Sequence, residues 1–167
     1  MYKYAFVTCV QLGLSCIEEI YRNKIKLDLL ITLNDDLACN KSGRIFFDKF
    51  AKEKNIKLLK ISNINDNKVK ELIEDLAIDY LLVIGWSQIV SNEIINSAKI
   101  GSYGIHPTLL PEGRGRVSIP WTILKGKKYT GATLFRLDAG VDSGPIIFQK
   151  VIKLNNSIDA TKLYKKI

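Results

Sequence analysis

Three observations predict an α/β fold of the Rossmann-like kind: an open twisted sheet, mostly parallel, with helices on both faces. Short apolar runs alternate with amphipathic segments down the first half of the chain. The runs are apolar at consecutive positions, as in strands buried on both faces, and do not alternate as half-exposed strands do. The segments that follow three of the runs are rich in glycine and polar residues, which suits loops at the carboxyl ends of a doubly wound sheet.

Residues 3–9 (KYAFVTC) read as the first buried strand. Residues 13–24 read as a helix, because Leu14, Ile17 and Tyr21 recur at i, i+3 and i+7. Residues 27–33 (LDLLITL) form a second strand. Residues 34–42 are polar and turn-like, 45–53 helical, and 56–61 (IKLLKI) a short third strand. The clearest helix spans 66–77, with Val69, Leu72, Ile73, Leu76 and Ala77 on one face. Residues 79–85 (DYLLVIG) are a strand that is apolar after its first residue. A short helix over 91–99 and a strand over 100–105, ending at His106, come next. A Pro- and Gly-rich loop over 107–115 leads to a helix over 118–125 and a strand over 129–137. The turn-rich stretch 138–145 (DAGVDSGP) separates that strand from another over 146–154. A helix begins at Asp159 and the chain stops inside it. The 167 residues are read as a single catalytic-type domain, cut short within its last helix as a truncated product or one part of a longer protein.

Composition removes several function classes. Charged residues at 25% and hydrophobic residues at 47% are globular values and exclude a low-complexity or disordered chain. No apolar run has the length of a membrane span, so no membrane partner is expected. Cys9, Cys16 and Cys39 are an odd count without CxxC spacing, and no histidine stands beside them. They read as free thiols in a reducing cytoplasm, with no disulfide framework and no metal site. The net charge of +8 comes from scattered lysines, without an arginine-rich arm or an aromatic-basic motif. A small phosphate-bearing partner is expected, and nucleic acid is not.

The chemistry concentrates in three loops. His106, the only imidazole of the chain, directly follows an apolar strand and precedes Pro107. Asp142 lies in the glycine-flanked VDSG turn. A carboxylate beside an imidazole fixes its tautomer and raises its basicity, as general acid–base work requires. Spacing alone does not bring the two together. Arg114 and Arg116 flank Gly115, and a planar guanidinium suits a phosphate.

At these residues the chain resembles the folate-dependent formyltransferases. The stretch GIHPTLLPEGRGRVSIPWTILKG, followed by TGATLFRLDAGVDSGPII, carries the signature in order. The resemblance is strongest from Tyr80 to Gln149, and the GWSQ and PEGRGR segments look most like the sugar N-formyltransferase branch. It implies transfer of a formyl group from 10-formyl-tetrahydrofolate to the amine of a nucleotide-linked amino sugar. Other acceptors stay open: methionyl-tRNA, glycinamide ribonucleotide, or none, if the chain is a non-catalytic folate- or nucleotide-binding module. An amine attacks the formyl carbon, a tetrahedral oxyanion forms and a proton must leave. By resemblance His106 is the base or oxyanion partner and Asp142 orients it. The folate would lie along Gly85, Trp86, Ser87, Gln88 and Ile89, with its pterin against Asp138, Ala139, Gly140, Val141 and Asp142. Gly13, Thr108, Arg114, Gly115 and Arg116 would face the substrate. A homodimer is left open.

One position departs from the family pattern Asn-x-His: this chain has Gly104-Ile105-His106. Loss of one oxyanion donor costs about 10²–10³ in rate. The expected replacement is a polar side chain of the 86–88 loop, Gln88 first and then Ser87, with Ser102 and Tyr103 as weaker alternatives and water or a neighbouring donor filling the space beside Gly104.

Overall fold

The computed structural model describes residues 1–38, 42–155 and 157–167 and divides into two compact units, Met1–Ser102 and Tyr103–Ile167. The first unit contains β1 (Tyr4–Val7), α1 (Gln11–Arg22), β2 (Leu29–Leu33), α2 (Asp35–Ala38), α3 (Asp48–Lys54), β3 (Lys57–Ile61), α4 (Asn67–Asp75), β4 (Tyr80–Ile84) and α5 (Asn92–Ile95). Its strands pair in parallel in the order β3-β2-β1-β4, with Ala5 opposite Leu29 and Leu81, and Leu33 opposite Ile61. Every residue of β2 is buried. Ala5, Val7, Leu29 and Ile31 share one core with Ile73 and Leu81. Phe6 and Leu30 point to the opposite face and are equally inaccessible. Strands dry on both faces need helices on both, which the alternation of strands and helices supplies. The α/β fold with a mostly parallel, helix-flanked sheet is the one the sequence predicts.

β5 (Gly101–His106) carries the chain into the second unit, which adds α6 (Ser118–Leu124), β6 (Tyr129–Arg136), β7 (Ile146–Lys153) and α7 (Ala160–Lys166). β5, β6 and β7 pair antiparallel, with Gly104 opposite Phe135 and His106 opposite Thr133. Ile119, Leu154 and Leu163 form a small core that joins α6 and α7.

Three elements differ from the sequence reading. The polar stretch 34–42 contains the short helix α2, which has no apolar period to announce it. The helix expected from residue 45 starts at Asp48, because Ile45 N–H is used by the carbonyl of Cys9 and Arg44 bridges to Val10. The helix expected over 91–99 ends at Ile95, since Lys99 and Ile100 donate their N–H groups to Ile78 and Asp79. Among the described cysteines Cys9 is buried and Cys16 partly so, and burial raises the Cys16 thiol above its usual value; Cys39 lies outside the described residues. Among the described residues no helix is long and apolar enough to cross a membrane.

Candidate functional site

The second unit builds a compact polar cluster at the end of β5. His106 is the last residue of that strand, and its side chain is only 9% exposed. Its Nδ1 lies 3.3 Å from Asp142 Oδ2, and its Nε2 lies 2.7 Å from the carbonyl oxygen of Gly113. The backbone N–H of Gly115 donates to the same Asp142 Oδ2 at 2.7 Å. The turn 138–144 brings Asp142 there by placing it in the left-handed region, with φ of +50°. That backbone is unusual for a residue with a side chain and is tolerated best by Asn, Asp and Gly. The sequence reading named the two side chains, and the structure brings them together.

The chain that follows His106 is anchored from beneath. Thr133, fully buried opposite His106, donates its hydroxyl to the carbonyl of Thr108 at 2.6 Å and accepts the N–H of Leu110 at 3.1 Å. Gln149 donates to the Leu110 carbonyl at 2.8 Å and to the Thr133 hydroxyl at 2.9 Å. Neither residue was singled out from sequence. Their only sequence signal is a polar side chain inside an otherwise strand-like run.

Several site expectations are corrected by these contacts. Gln88 does not offer its amide to a reacting group. Its Oε1 accepts from Ile64 N–H at 2.9 Å and its Nε2 donates to the Ser62 carbonyl at 2.8 Å, so it staples the loop after β4 to the chain between β3 and α4. Ser102 donates to the Ile95 carbonyl at 2.6 Å and is equally committed. Gly104 is buried, and the three atoms nearest to the position of a Cβ there are all apolar carbons. A Cβ added there would meet Leu137 and the Phe135 ring at 3.2 Å, so apolar side chains fill that volume.

Gly13 is required by packing, since a Cβ would overlap the Thr8 side chain. Thr108 is buried, and its hydroxyl caps its own loop at the Glu112 carbonyl. At Gly140 and Gly144 the missing Cβ atoms leave room for Ser143 and the Arg136 carbonyl, so the turn itself requires both glycines. Asp138 closes that turn by accepting from Gly140 N–H and the Ser143 hydroxyl.

The remaining expected residues are on view. Arg114 and Arg116 are exposed, and neither has a hydrogen bond or ion pair among the described residues. Ile89 is 73% exposed and Val141 54%. In the first unit Gly85 turns the chain after β4 with φ of +67°, where a Cβ would strike Val10. Ser87 is exposed and has a contact of its own. Trp86 packs on Cys9 and Leu33, and its indole Nε1 is buried with no acceptor among the described residues. A buried orphan donor of this kind is costly unless something completes it. Among the described residues, no group of three His, Cys, Asp or Glu is placed to hold a metal ion.

Residues 19–167 match the family model for formyl transferase. The chain is 32% identical over 118 residues to a methionyl-tRNA formyltransferase of Clostridium tetani, which covers 70% of this chain and 38% of that protein. It spans about a quarter to a half of the length of the curated relatives it matches. Among solved structures, phosphoribosylglycinamide formyltransferase from Bacillus halodurans superposes with a TM-score of 0.82 at 23% identity, over 99% of this chain and 87% of that one. An N-formyltransferase from Helicobacter canadensis, in complex with folinic acid and dTDP-3-aminofucose, gives 0.74 at 23% identity, over 99% and 58%. At these identities the likeness is one of fold.

Proposed function

The chain belongs to the formyl transferase family, and we propose that it transfers a formyl group from a reduced folate to an amine. The observation that carries this reading is the buried His106 ring held 3.3 Å from Asp142, each residue inside one of the two signature stretches. The residues fit a folate in two respects. In the second unit Val141 presents exposed apolar surface that a flat ring would cover, and in the first unit, taken by itself, Trp86 has a buried N–H with no acceptor among the described residues. The folate, as 10-formyl-tetrahydrofolate, would supply the activated formyl group; residues 138–142, in the same unit as His106, are the segment we assign to it.

His106 is assigned the proton. With a proton on Nδ1 facing Asp142, Nε2 has a lone pair for the proton that the attacking amine must lose. Asp142 stabilises the imidazolium that results. Burial of the ring strengthens that interaction by keeping water from it.

The acceptor is an amine of one of three kinds. Comparisons bring methionyl-tRNA and phosphoribosylglycinamide enzymes forward at least as strongly as the amino-sugar enzymes that the GWSQ and PEGRGR segments suggest. All three acceptors carry phosphate, and the exposed, unpaired Arg114 and Arg116 are the groups we assign to it.

The test is formyl transfer from 10-formyl-tetrahydrofolate to a panel of initiator methionyl-tRNA, glycinamide ribonucleotide and nucleotide-linked amino sugars. One acceptor should turn over. His106→Ala and Asp142→Ala should each lower its kcat by about 10²–10⁴ with the fold retained. Arg116→Ala should raise its KM and flatten the salt dependence, leaving folate affinity unchanged. Folate binding without turnover on any acceptor would overturn the enzymatic reading in favour of a binding module.

A further inference from the structure

We propose that the main chain of residues 113–115 is the positioning element of the His106–Asp142 pair and selects which ring nitrogen carries the proton. The proposal rests on the formyl-transfer reading for its catalytic consequence but not for its geometry. One tripeptide grips both partners: the Gly115 N–H holds Asp142 Oδ2, and the Gly113 carbonyl meets His106 Nε2, each at 2.7 Å. The imidazole therefore lies between two acceptors, a carboxylate at Nδ1 and a carbonyl at Nε2. A neutral ring has one N–H and can donate to only one of them.

The two contacts compete for that proton. While the Gly113 carbonyl takes an Nε2–H, Nε2 has no lone pair and cannot receive the proton of an amine. When Asp142 takes an Nδ1–H, the Nε2 lone pair faces the Gly113 oxygen, and that carbonyl must give way to the incoming amine. The anchored Asp142 carboxylate is what tips the ring toward the second state. In that state the amine nitrogen bonds to the formyl carbon as its proton moves to Nε2, the donor's nitrogen–formyl bond then breaks and that nitrogen takes up the Nε2 proton, and the Nδ1 proton stays between the ring and Asp142 throughout. Gly115 thus acts through Asp142 as a positioning residue.

The tripeptide has this shape because it is built on left-handed residues. Gly113 has φ of +68° and Gly115 of +87°. At Gly113 a Cβ would also press on Thr108 at 2.9 Å, but at Gly115 nothing lies within 4 Å. A side chain at 115 therefore perturbs backbone conformation alone. Gly126 is a matched control: its φ is +57°, its Cβ direction is also open, and it lies in the turn after α6.

Because His106 is the only histidine among these 167 residues, its ring nitrogens can be read in this chain without assignment. We expect Gly115→Ala and Gly126→Ala to lower Tm to a similar degree. Only Gly115→Ala should move the ¹⁵N resonances of the imidazole toward an even mixture of tautomers. In the same variant kcat should fall about 10–100-fold, as misplacement of a reacting group does, with KM for the formyl donor within twofold of wild type. Gly115→Asn should restore both readouts, since Asn accepts a left-handed backbone. If the ring spectrum of Gly115→Ala matches that of Gly126→Ala, the positioning role is wrong. If the unmodified protein transfers no formyl group, the formyl-transfer reading fails, and the ring spectra still decide whether residues 113–115 hold the pair.

Discussion

Gly104 is the position at which the chain parts from its family's Asn-x-His pattern, and its neighbours set what a return to asparagine would cost. The backbone there is ordinary strand, so a side chain meets no left-handed penalty. Replacing glycine by alanine in such a backbone gains about 0.4–1 kcal/mol by restricting the unfolded chain. Against this stand Leu137 Cδ2 and Phe135 Cε1 at 3.2 Å from the new Cβ, and Phe135 Cζ at 3.3 Å. Overpacking of a filled site costs about 1–3 kcal/mol, so Gly104→Ala should lie between neutral and about 2.5 kcal/mol destabilised. Gly104→Asn adds a carboxamide that faces two apolar side chains, and an unsatisfied buried polar group costs about 1–3 kcal/mol more. The asparagine variant should therefore be destabilised by about 1–5.5 kcal/mol, and always more than the alanine variant. Urea unfolding followed by circular dichroism gives both values, with transfer assayed on the fraction that remains folded. The companion variant Phe135→Leu removes the ring contacts and should recover part of the Gly104→Asn loss. An asparagine variant as stable as wild type, with raised transfer activity, would show that Phe135 and Leu137 yield freely and that the space beside Gly104 is still a polar site.

Three further outcomes follow from contacts already described. Thr133→Val keeps the shape but removes a hydroxyl bonded to Thr108, Leu110 and Gln149; it should cost about 1–3 kcal/mol in urea unfolding and lower kcat more than it changes any KM. Gln88→Ala should destabilise the protein by about 1–3 kcal/mol through its lost backbone partners, and a kcat at saturating folate that stays within threefold of wild type would confirm that the amide is structural. The third concerns pH. Lys60 pairs with Asp35 at 2.6 Å and Asp48 at 2.7 Å, and holds the Asp35 carboxyl below its usual 3.8 with help from Arg44. A folded-state value below the unfolded one gives stability that is present above pH 3.8 and lost as pH falls through the depressed value. Lys60 is itself raised above 10.5 by Asp35 and then Asp48, so its share is present below that pH and lost as pH rises through the raised value. Lys60→Met should reduce the stability lost at both ends in thermal melts across pH, and an unchanged acid limb would refute the linkage. The effect should be small and salt-sensitive, because Asp35 is exposed.

The first unit was legible because its signals are local. Continuous apolar runs and a 3.6-residue period reflect burial on two faces or on one, and both are written residue by residue along β1, β2, β4 and α4. What escaped were the places where long-range hydrogen bonds overrule a local preference, as when Cys9 claims the N–H of Ile45 and delays α3. The candidate site shows the same division. Residue types and order pointed to His106 and Asp142, since an imidazole at a strand end and a carboxylate among glycines are visible in the sequence itself.

The partners of that pair were not visible, because they are backbone atoms. The groups on His106 and Asp142 other than each other are the Gly113 carbonyl and the Gly115 N–H, which every non-proline residue possesses. Only the φ values of these glycines distinguish them. The same blindness explains Gln88. An amide beside a tryptophan in a ligand-type loop has the chemistry of an oxyanion donor, but two main-chain groups 24 and 26 residues away had the stronger claim on it. A buried polar side chain is committed first to whichever unsatisfied backbone group it can reach, because leaving that group bare costs as much as the bond is worth in catalysis. Site residues read from a sequence are therefore most secure where the side chain's alternatives are few. By that measure the cluster of the second unit stands apart from the Gln88 loop: His106 faces a carboxylate and one carbonyl, and the transfer proposed here needs only one of those two contacts to open.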